Sequence, residues 1–275
     1  MAAELAVMDK FNLVTGMEAM DEELRAELED ELEDLDDDGG IDAKHIKIPS
    51  GGGKAFEVET DNPDDPEILK DVTGVILFTH RMNAYWSRKF GEAGDDGDTN
   101  KSPDCSSMDG KQGLNRETGT ITACENCPYN QFGSDGKGKA CKNMRRLYIM
   151  MDGRPDIYLL TVPPTSIRDI NKALKKIMSQ QHIPYSRMVV TFKLAVSENA
   201  EGIKYSKVTL EKTGLLPEEL YVKATELRKA MKKSYESVGI TTEDYEEANP
   251  TGSIPTDKDG FMQAGDIKPG ELPFD

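Results

Sequence analysis

The stretch Asp104-Cys105-Ser106-Ser107-Met108-Asp109-Gly110, then Cys124-Glu125-Asn126-Cys127, then Gly136-Lys137-Gly138-Lys139-Ala140-Cys141, decides how the middle of this 275-residue chain folds. It holds all 4 cysteines of the chain. The residues between them are rich in Gly, Asp, Ser and Asn, with too little apolar content to fold on a core of their own. A Cys-x-x-Cys turn sets two thiolates on one side. Cys105, with 18 residues between it and Cys124, and Cys141, with 13 between it and Cys127, complete a tetrahedral sulfur set that suits Zn2+. With Cys105, Cys124, Cys127 and Cys141 all ligating, the site is structural, because catalytic zinc keeps one position open for water. The metal then supplies folding free energy, about 10–16 kcal/mol in zinc-finger peptides. An iron–sulfur cluster is an alternative on the same thiolates. Free or disulfide-linked cysteines are another. The chain shows no signal segment, so the expected compartment is the cytoplasm, where thiols stay reduced.

Outward from that stretch, charge organises the chain. Of 51 acidic and 34 basic residues, positions 1–42 hold 16 and 2, and positions 241–275 hold 9 and 2. The body, 43–240, keeps 26 acidic and 30 basic residues. A mildly basic body thus lies between two acidic ends, which the net charge of −17 conceals. Leu24, Leu28, Leu32 and Leu35 predict an acidic helix in the amino-terminal arm: a solvated face, a mimic of nucleic-acid charge that occupies the basic surface, or a partner-binding helix. Positions 241–275 contain Pro250, Pro255, Pro269 and Pro273 without periodicity, and predict a disordered acidic tail.

The body reads as strand-rich. Ala43–Pro49 and Ala55–Thr60 flank a turn at Ser50-Gly51-Gly52-Gly53, which lacks the spacing of a phosphate-binding loop. Val72–Thr79, Leu147–Met151, Ile157–Val162, Met188–Val196 and Lys204–Glu211 are further strands. A helix capped by Thr165 or Ser166 presents Ile167, Ile170, Leu174, Ile177 and Met178. A last helix starts at Pro217 and turns Leu220, Leu227, Met231 and Tyr235 inward. The expected class is mainly β, or α+β: an OB-like Greek-key barrel of about five to seven strands with two helices and a four-cysteine zinc loop inserted at about 100–145.

Catalysis finds little support. His45, His80 and His182 stand at no metal-ligand spacing, and no nucleophile elbow or dinucleotide loop is present. Asp104 and Asp109 could bind Mg2+ in a nuclease, but aspartates in a Gly-rich loop are more often turn formers. A non-enzyme without a small-molecule substrate is expected. No apolar run approaches the ~20 residues a membrane helix needs. Single-strand binding requires cationic side chains for phosphates and aromatic faces for bases. Arg81, Tyr85, Trp86, Arg88 and Lys89 offer both in one stretch. Lys137, Lys139, Lys142, Arg145 and Arg146, with Tyr129, Phe132 and Tyr148 nearby, offer both in a second. The alternative places Tyr85 and Trp86 in a core at a strand end and leaves the lysines as a solvated face.

The chain ends Gly270-Glu271-Leu272-Pro273-Phe274-Asp275. This end resembles the tail of single-stranded-DNA-binding proteins of bacteria and their phages, which finish in acids and a short Pro-Phe tip. Here Asp275 follows Phe274, where the bacterial pattern ends on Phe. The body, over about 72–235, resembles a zinc-containing group of phage-encoded proteins. The resemblance rests on the three cysteine-bearing motifs above, with Pro128 and Lys142 at their ends, and on Pro163-Pro164-Thr165-Ser166. It implies an OB-type core that coats single-stranded DNA during phage replication or recombination. It also implies replication and recombination partners docking on Leu272, Pro273 and Phe274. A zinc-stabilised accessory factor in transcription or replication, and a metal-dependent nuclease, are the alternatives.

Overall fold

The computed structural model describes residues 7–8, 10–13, 43–62, 64–87, 102–136, 138–199, 202–236, 238–240 and 244. The fold is organised by one long strand. Asp71–Tyr85 (β4) carries the apolar run Val72, Val75, Ile76, Leu77 and Phe78, and every one of these side chains is buried. On one side it pairs antiparallel with Lys142–Met151 (β8). On the other, its first half pairs with Met188–Glu198 (β10) and its last three residues with Cys105–Ser107 (β5). Gly74 makes the close approach to β8 possible. A Cβ there would lie 2.5 Å from the Met150 carbonyl oxygen and 2.7 Å from Ile149 Cγ2.

The remaining strands extend this centre. Ala43–Lys47 (β1), Phe56–Val58 (β2) and Glu67–Leu69 (β3) form antiparallel pairs in order. β1 lies parallel to Ile157–Val162 (β9), which returns antiparallel to β8. Gln112–Asn115 (β6) and Ile121–Ala123 (β7) continue outward from β5. Lys204–Leu215 (β11) pairs with β10. The result is a mixed sheet in the order β3-β2-β1-β9-β8-β4-β5-β6-β7, with β10 and β11 branching from β4.

Two helices cover this sheet. Pro164–Gln181 (α1) starts on Pro163 and Pro164, whose fixed φ suits the first turn, and not on a Thr165 or Ser166 cap. Ser166 is buried instead, and its hydroxyl accepts the Val208 amide of β11 at 2.9 Å. Ile167, Ile170, Leu174, Ile177 and Met178 pack on Leu147, Ile149, Leu160 and Val162. Glu218–Ser234 (α2) begins after Pro217 and sets Leu220, Ala224, Leu227 and Met231 against Val75, Leu77, Tyr148 and Met150. Leu147 and Ile149 thus face one core while Tyr148 and Met150 face the other, as the two-residue period of a strand requires.

The mainly β, two-helix expectation matches this structure, with differences in extent. Eleven strands are present among the described residues, because the cysteine stretch itself supplies β5, β6 and β7. The amino-terminal arm is not wholly separate from the body. Phe11 and Leu13 are buried in the α2-side core, and the Met8 amide donates to the Leu215 carbonyl at 2.9 Å. The leucine-patterned helix and the tail tip lie outside the described residues. Among the described residues no helix is long and apolar enough to cross a membrane.

Candidate nucleic-acid interface and cysteine cluster

The cysteine segment is held by its own backbone. The Cys124 amide donates to the Lys111 carbonyl at 2.7 Å, and the Cys141 amide to the Tyr129 carbonyl at 2.8 Å. Asn130 Nδ2 donates to the Cys124 carbonyl at 2.8 Å. All four cysteines are free of disulfides. Cys105 and Cys124 flank one glycine: a Cβ on Gly113 would sit 2.9 Å from Cys105 Sγ and 3.5 Å from Cys124 Sγ. Cys141 is buried, which pushes its thiol up to about 12, and the neighbouring Cys124, Cys127 and Cys105 add to the shift. Burial likewise raises Cys105, with Cys124, Cys127 and Asp104 contributing. Cys105 and Cys141 thus lie within the electrostatic reach of Cys124 and Cys127. Among the described residues, however, no three His, Cys, Asp or Glu side chains close on a common point at ligating distance.

The two candidate nuclease carboxylates are committed to the loop. Asp109 accepts the Lys111 amide at 2.7 Å, the Gln112 amide at 3.0 Å and the Ser107 hydroxyl at 3.0 Å. Burial opposes its charge, and these bonds outweigh that opposition, holding its carboxyl below the ordinary carboxylate range. Asp104 accepts the Ser87 amide at 2.5 Å. Asp109 makes the contacts of a turn former, while Asp104 ties the segment to Ser87, just past the end of β4.

Beside the cluster runs a groove of about 710 Å3. One wall is the cysteine segment, with Phe132, Lys139 and Lys142. The facing walls are Lys47 with the Ser50-Gly51 turn, the start of α1 at Pro163–Thr165, and the β10–β11 hairpin with Ile203, Lys204 and Tyr205. Phe132 is 84% exposed, and Lys139 Nζ lies 5.2 Å from its ring centroid. Gly52 lets the turn meet the hairpin: a Cβ there would sit 3.0 Å from Val196 Cγ1 and 3.4 Å from Lys204 Cβ.

A polar ladder leads out of this groove across β8 and β4. Lys139 Nζ donates to Asn143 Oδ1 at 3.1 Å, and Asn143 Nδ2 to Asn83 Oδ1 at 2.8 Å. Asn83 Nδ2 donates to the Gly110 carbonyl at 3.3 Å. Arg81 and Arg145 come next, directly opposite each other across the two strands.

The predicted contact residues therefore divide. Lys139 and Lys142 line the groove, and Arg81 and Arg145 extend from it. Tyr85 and Tyr129 stack on each other, centroids 4.3 Å apart and planes 18° apart, tying β4 to the cysteine segment. Trp86 packs against the small core of Met82, Ala84, Met144 and Ile240. Arg146 and Tyr148 do not face solvent, in contrast to the sequence expectation. Alternation along β8 turns both to the α2 side, opposite Arg145. Arg146 is enclosed there by Asp244, with Nη2 and Nε donating to its carboxylate, and by the carbonyls of Val238 at 3.0 Å and Gly239 at 2.8 Å. Tyr148 is fully buried in the core. Arg88, Lys89, Lys137, Leu272, Pro273 and Phe274 lie outside the described residues. Lys47, Lys204 and Tyr205 escape the sequence reading because they come from the end of β1 and from a hairpin, both distant in the chain. Asn83 and Asn143 escape it because an uncharged amide gives no charge signal.

No protein-family model, no curated protein and no solved structure matches this chain.

Proposed function

We propose that the body binds single-stranded nucleic acid, and DNA in particular, in the groove between the cysteine segment, the Ser50–Gly53 turn and the β10–β11 hairpin. The observation that carries this reading is Phe132. A large aromatic ring left 84% exposed, with a lysine over its face and further lysines on both walls, suits an unstacked base with its phosphates. Phe132 is the most exposed large apolar side chain among the described residues. The body's excess of basic residues, in a chain of net charge −17, supports the same reading.

In this proposal the strands curl as an OB-like barrel, and Cys105, Cys124, Cys127 and Cys141 hold a structural Zn2+. The Gly113 cradle between two sulfurs supports that assignment, since a side chain there would take the space a shared ligand needs. The protein coats single-stranded DNA in phage replication or recombination. Its acidic tail recruits partner proteins through Leu272, Pro273 and Phe274, and it works in the cytoplasm of the host.

Titration of labelled oligo-dT and oligo-rU in parallel, at several salt concentrations, tests the function. Binding that weakens steeply with salt is expected. Phe132→Ala is expected to lose roughly 1–3 kcal/mol of binding, the worth of one base–aromatic stack. Absence of binding at low salt overturns the reading. Capture of a replication protein without strand binding would favour the accessory-factor alternative, for which Leu114 and Ile121 form an exposed apolar pair across β6 and β7.

A further inference from the structure

Arg81 and Arg145 sit directly opposite each other on β4 and β8, on the face away from α2. Opposed like charges destabilise a strand pair. Arg145 carries a second cost. It is half-buried, and its Nε is closed off from solvent with no hydrogen-bond partner. Its one side-chain bond runs from Nη1 to Thr79 Oγ1 at 3.1 Å. Burial first, and Arg81 second, lower its pKa, and no carboxylate acts on it. Neither arginine forms an ion pair among the described residues. By contrast, among the described residues Arg146 is paired with Asp244, and Lys44 with Asp61 and Asp156. The backbone around the pair is also fixed. Gly110 of the cysteine segment has φ +69°, and a Cβ there would meet Arg81 Cβ at 3.0 Å. Two arginines thus stand at opposed strand positions, next to the ladder that leads from the groove.

We propose that Arg81 and Arg145 form a phosphate seat that continues the path of the strand beyond the groove, by way of Lys139, Asn143 and Asn83. This inference rests on the single-strand reading for the strand's path; the seat's phosphate chemistry is independent of it. An anion between the forks removes the repulsion, fills the donor capacity of Arg145, and accepts from planar guanidinium groups in the geometry they favour. The chain accepts a less stable ligand-free sheet in return for a fixed phosphate position.

The test uses the full chain and Arg145→Met, with Arg145→Lys as a second variant that keeps charge but not the fork. Three readouts are taken: thermal melting without ligand, melting with inorganic pyrophosphate against sodium chloride at equal ionic strength, and affinity for oligo-dT of about 4 and about 12 nucleotides across salt. Ligand-free Arg145→Met is expected to melt at or above the wild type. Pyrophosphate is expected to raise melting of the wild type and not of this variant. Affinity for the longer oligonucleotide is expected to fall about tenfold, with the salt slope reduced by ~0.7, while the shorter one binds unchanged. Arg145→Lys should restore the slope but not the full affinity. An Arg145→Met protein that melts several degrees lower and binds the longer oligonucleotide with the wild-type slope would overturn the seat and leave the groove reading standing. Pyrophosphate stabilisation that needs Arg145, in a protein that binds no oligonucleotide, would keep the seat as a free-phosphate site and refute the strand path.

Discussion

The guanidinium of Arg146 and the carboxylate of Asp244 leave solvent together, with side-chain exposures of 0% and 1%. Thr161 Oγ1 donates to the same carboxylate at 2.7 Å. A buried pair of this kind adds little over a well-packed apolar pair, but removing one member strands the other. Asp244→Asn is therefore expected to cost about 3–5 kcal/mol in urea denaturation. Combining it with Arg146→Met should recover part of that loss, and an additive double variant would refute the pairing. His80 sits close by. Its Nδ1 faces the carbonyls of Arg81 at 3.0 Å and Met108 at 2.8 Å, so Nδ1 bears the proton and Nε2 accepts from Tyr148 Oη at 3.3 Å. Burial, aided by the charge of Arg146, lowers the His80 pKa below 6.5. Above pH 6.5 the ring is neutral folded and unfolded alike. As pH falls from there toward the lowered folded value, the unfolded chain binds the proton first and stability declines. Melting temperature measured from pH 8 to pH 5 should fall in that window, and the fall should shrink in His80→Gln. An unchanged profile in the variant would assign the decline elsewhere.

At the scale of elements, the cysteine segment is the part whose stability has a separate source. β5, β6 and β7 have three, four and three residues, and β7 is exposed throughout. Strands so short bury too little apolar surface to stand alone. If zinc holds the sulfurs together, Cys124→Ser is expected to lose the metal and to release the amides of β5–β7 to hydrogen exchange, while those of β8–β10 stay protected. Elemental analysis with exchange by mass spectrometry reads both. Unchanged protection in a metal-free variant would show that the segment folds without zinc. The same contrast explains what sequence makes legible. β9, β10, β11 and both helices follow their hydrophobic period, because each has a face against a large core. β4 reads as ending at Thr79, yet it continues to Tyr85. His80, Arg81 and Asn83 interrupt its apolar run, and only pairing with β8 and β5 keeps them extended. β5–β7 give no strand signal, since turn chemistry and cysteine placement set their register rather than propensity. The site divides the same way. Lys139 and Lys142 are legible as a local cluster, whereas Lys47 and Lys204 join them only through tertiary packing, and the burial of Arg146 depends on an aspartate 98 residues away.

For the whole molecule, the charge partition and the Arg146 clasp meet at one point. Asp244 lines the groove while bound to Arg146, so the body ends in a fixed position at the groove wall. Residues 245–275 follow it with seven acidic and two basic side chains. A chain tethered there holds its carboxylates at high effective concentration beside the groove lysines. Two truncations separate this electrostatic effect from the structural one. Ending the protein after Asp244 removes the tail and keeps the clasp. Unfolding free energy should then stay near that of the full chain, while oligo-dT binding tightens at low salt and the gain fades as salt rises. Ending it after Ile240 also removes Asp244 and leaves Arg146 buried without its counter-charge, so that protein should lose stability as Asp244→Asn does. Unfolding by urea and oligonucleotide anisotropy, measured on both truncations, distinguish the outcomes. Equal stability of the two would refute the clasp, and binding equal to the full chain after truncation at Asp244 would show that the tail does not compete for the groove.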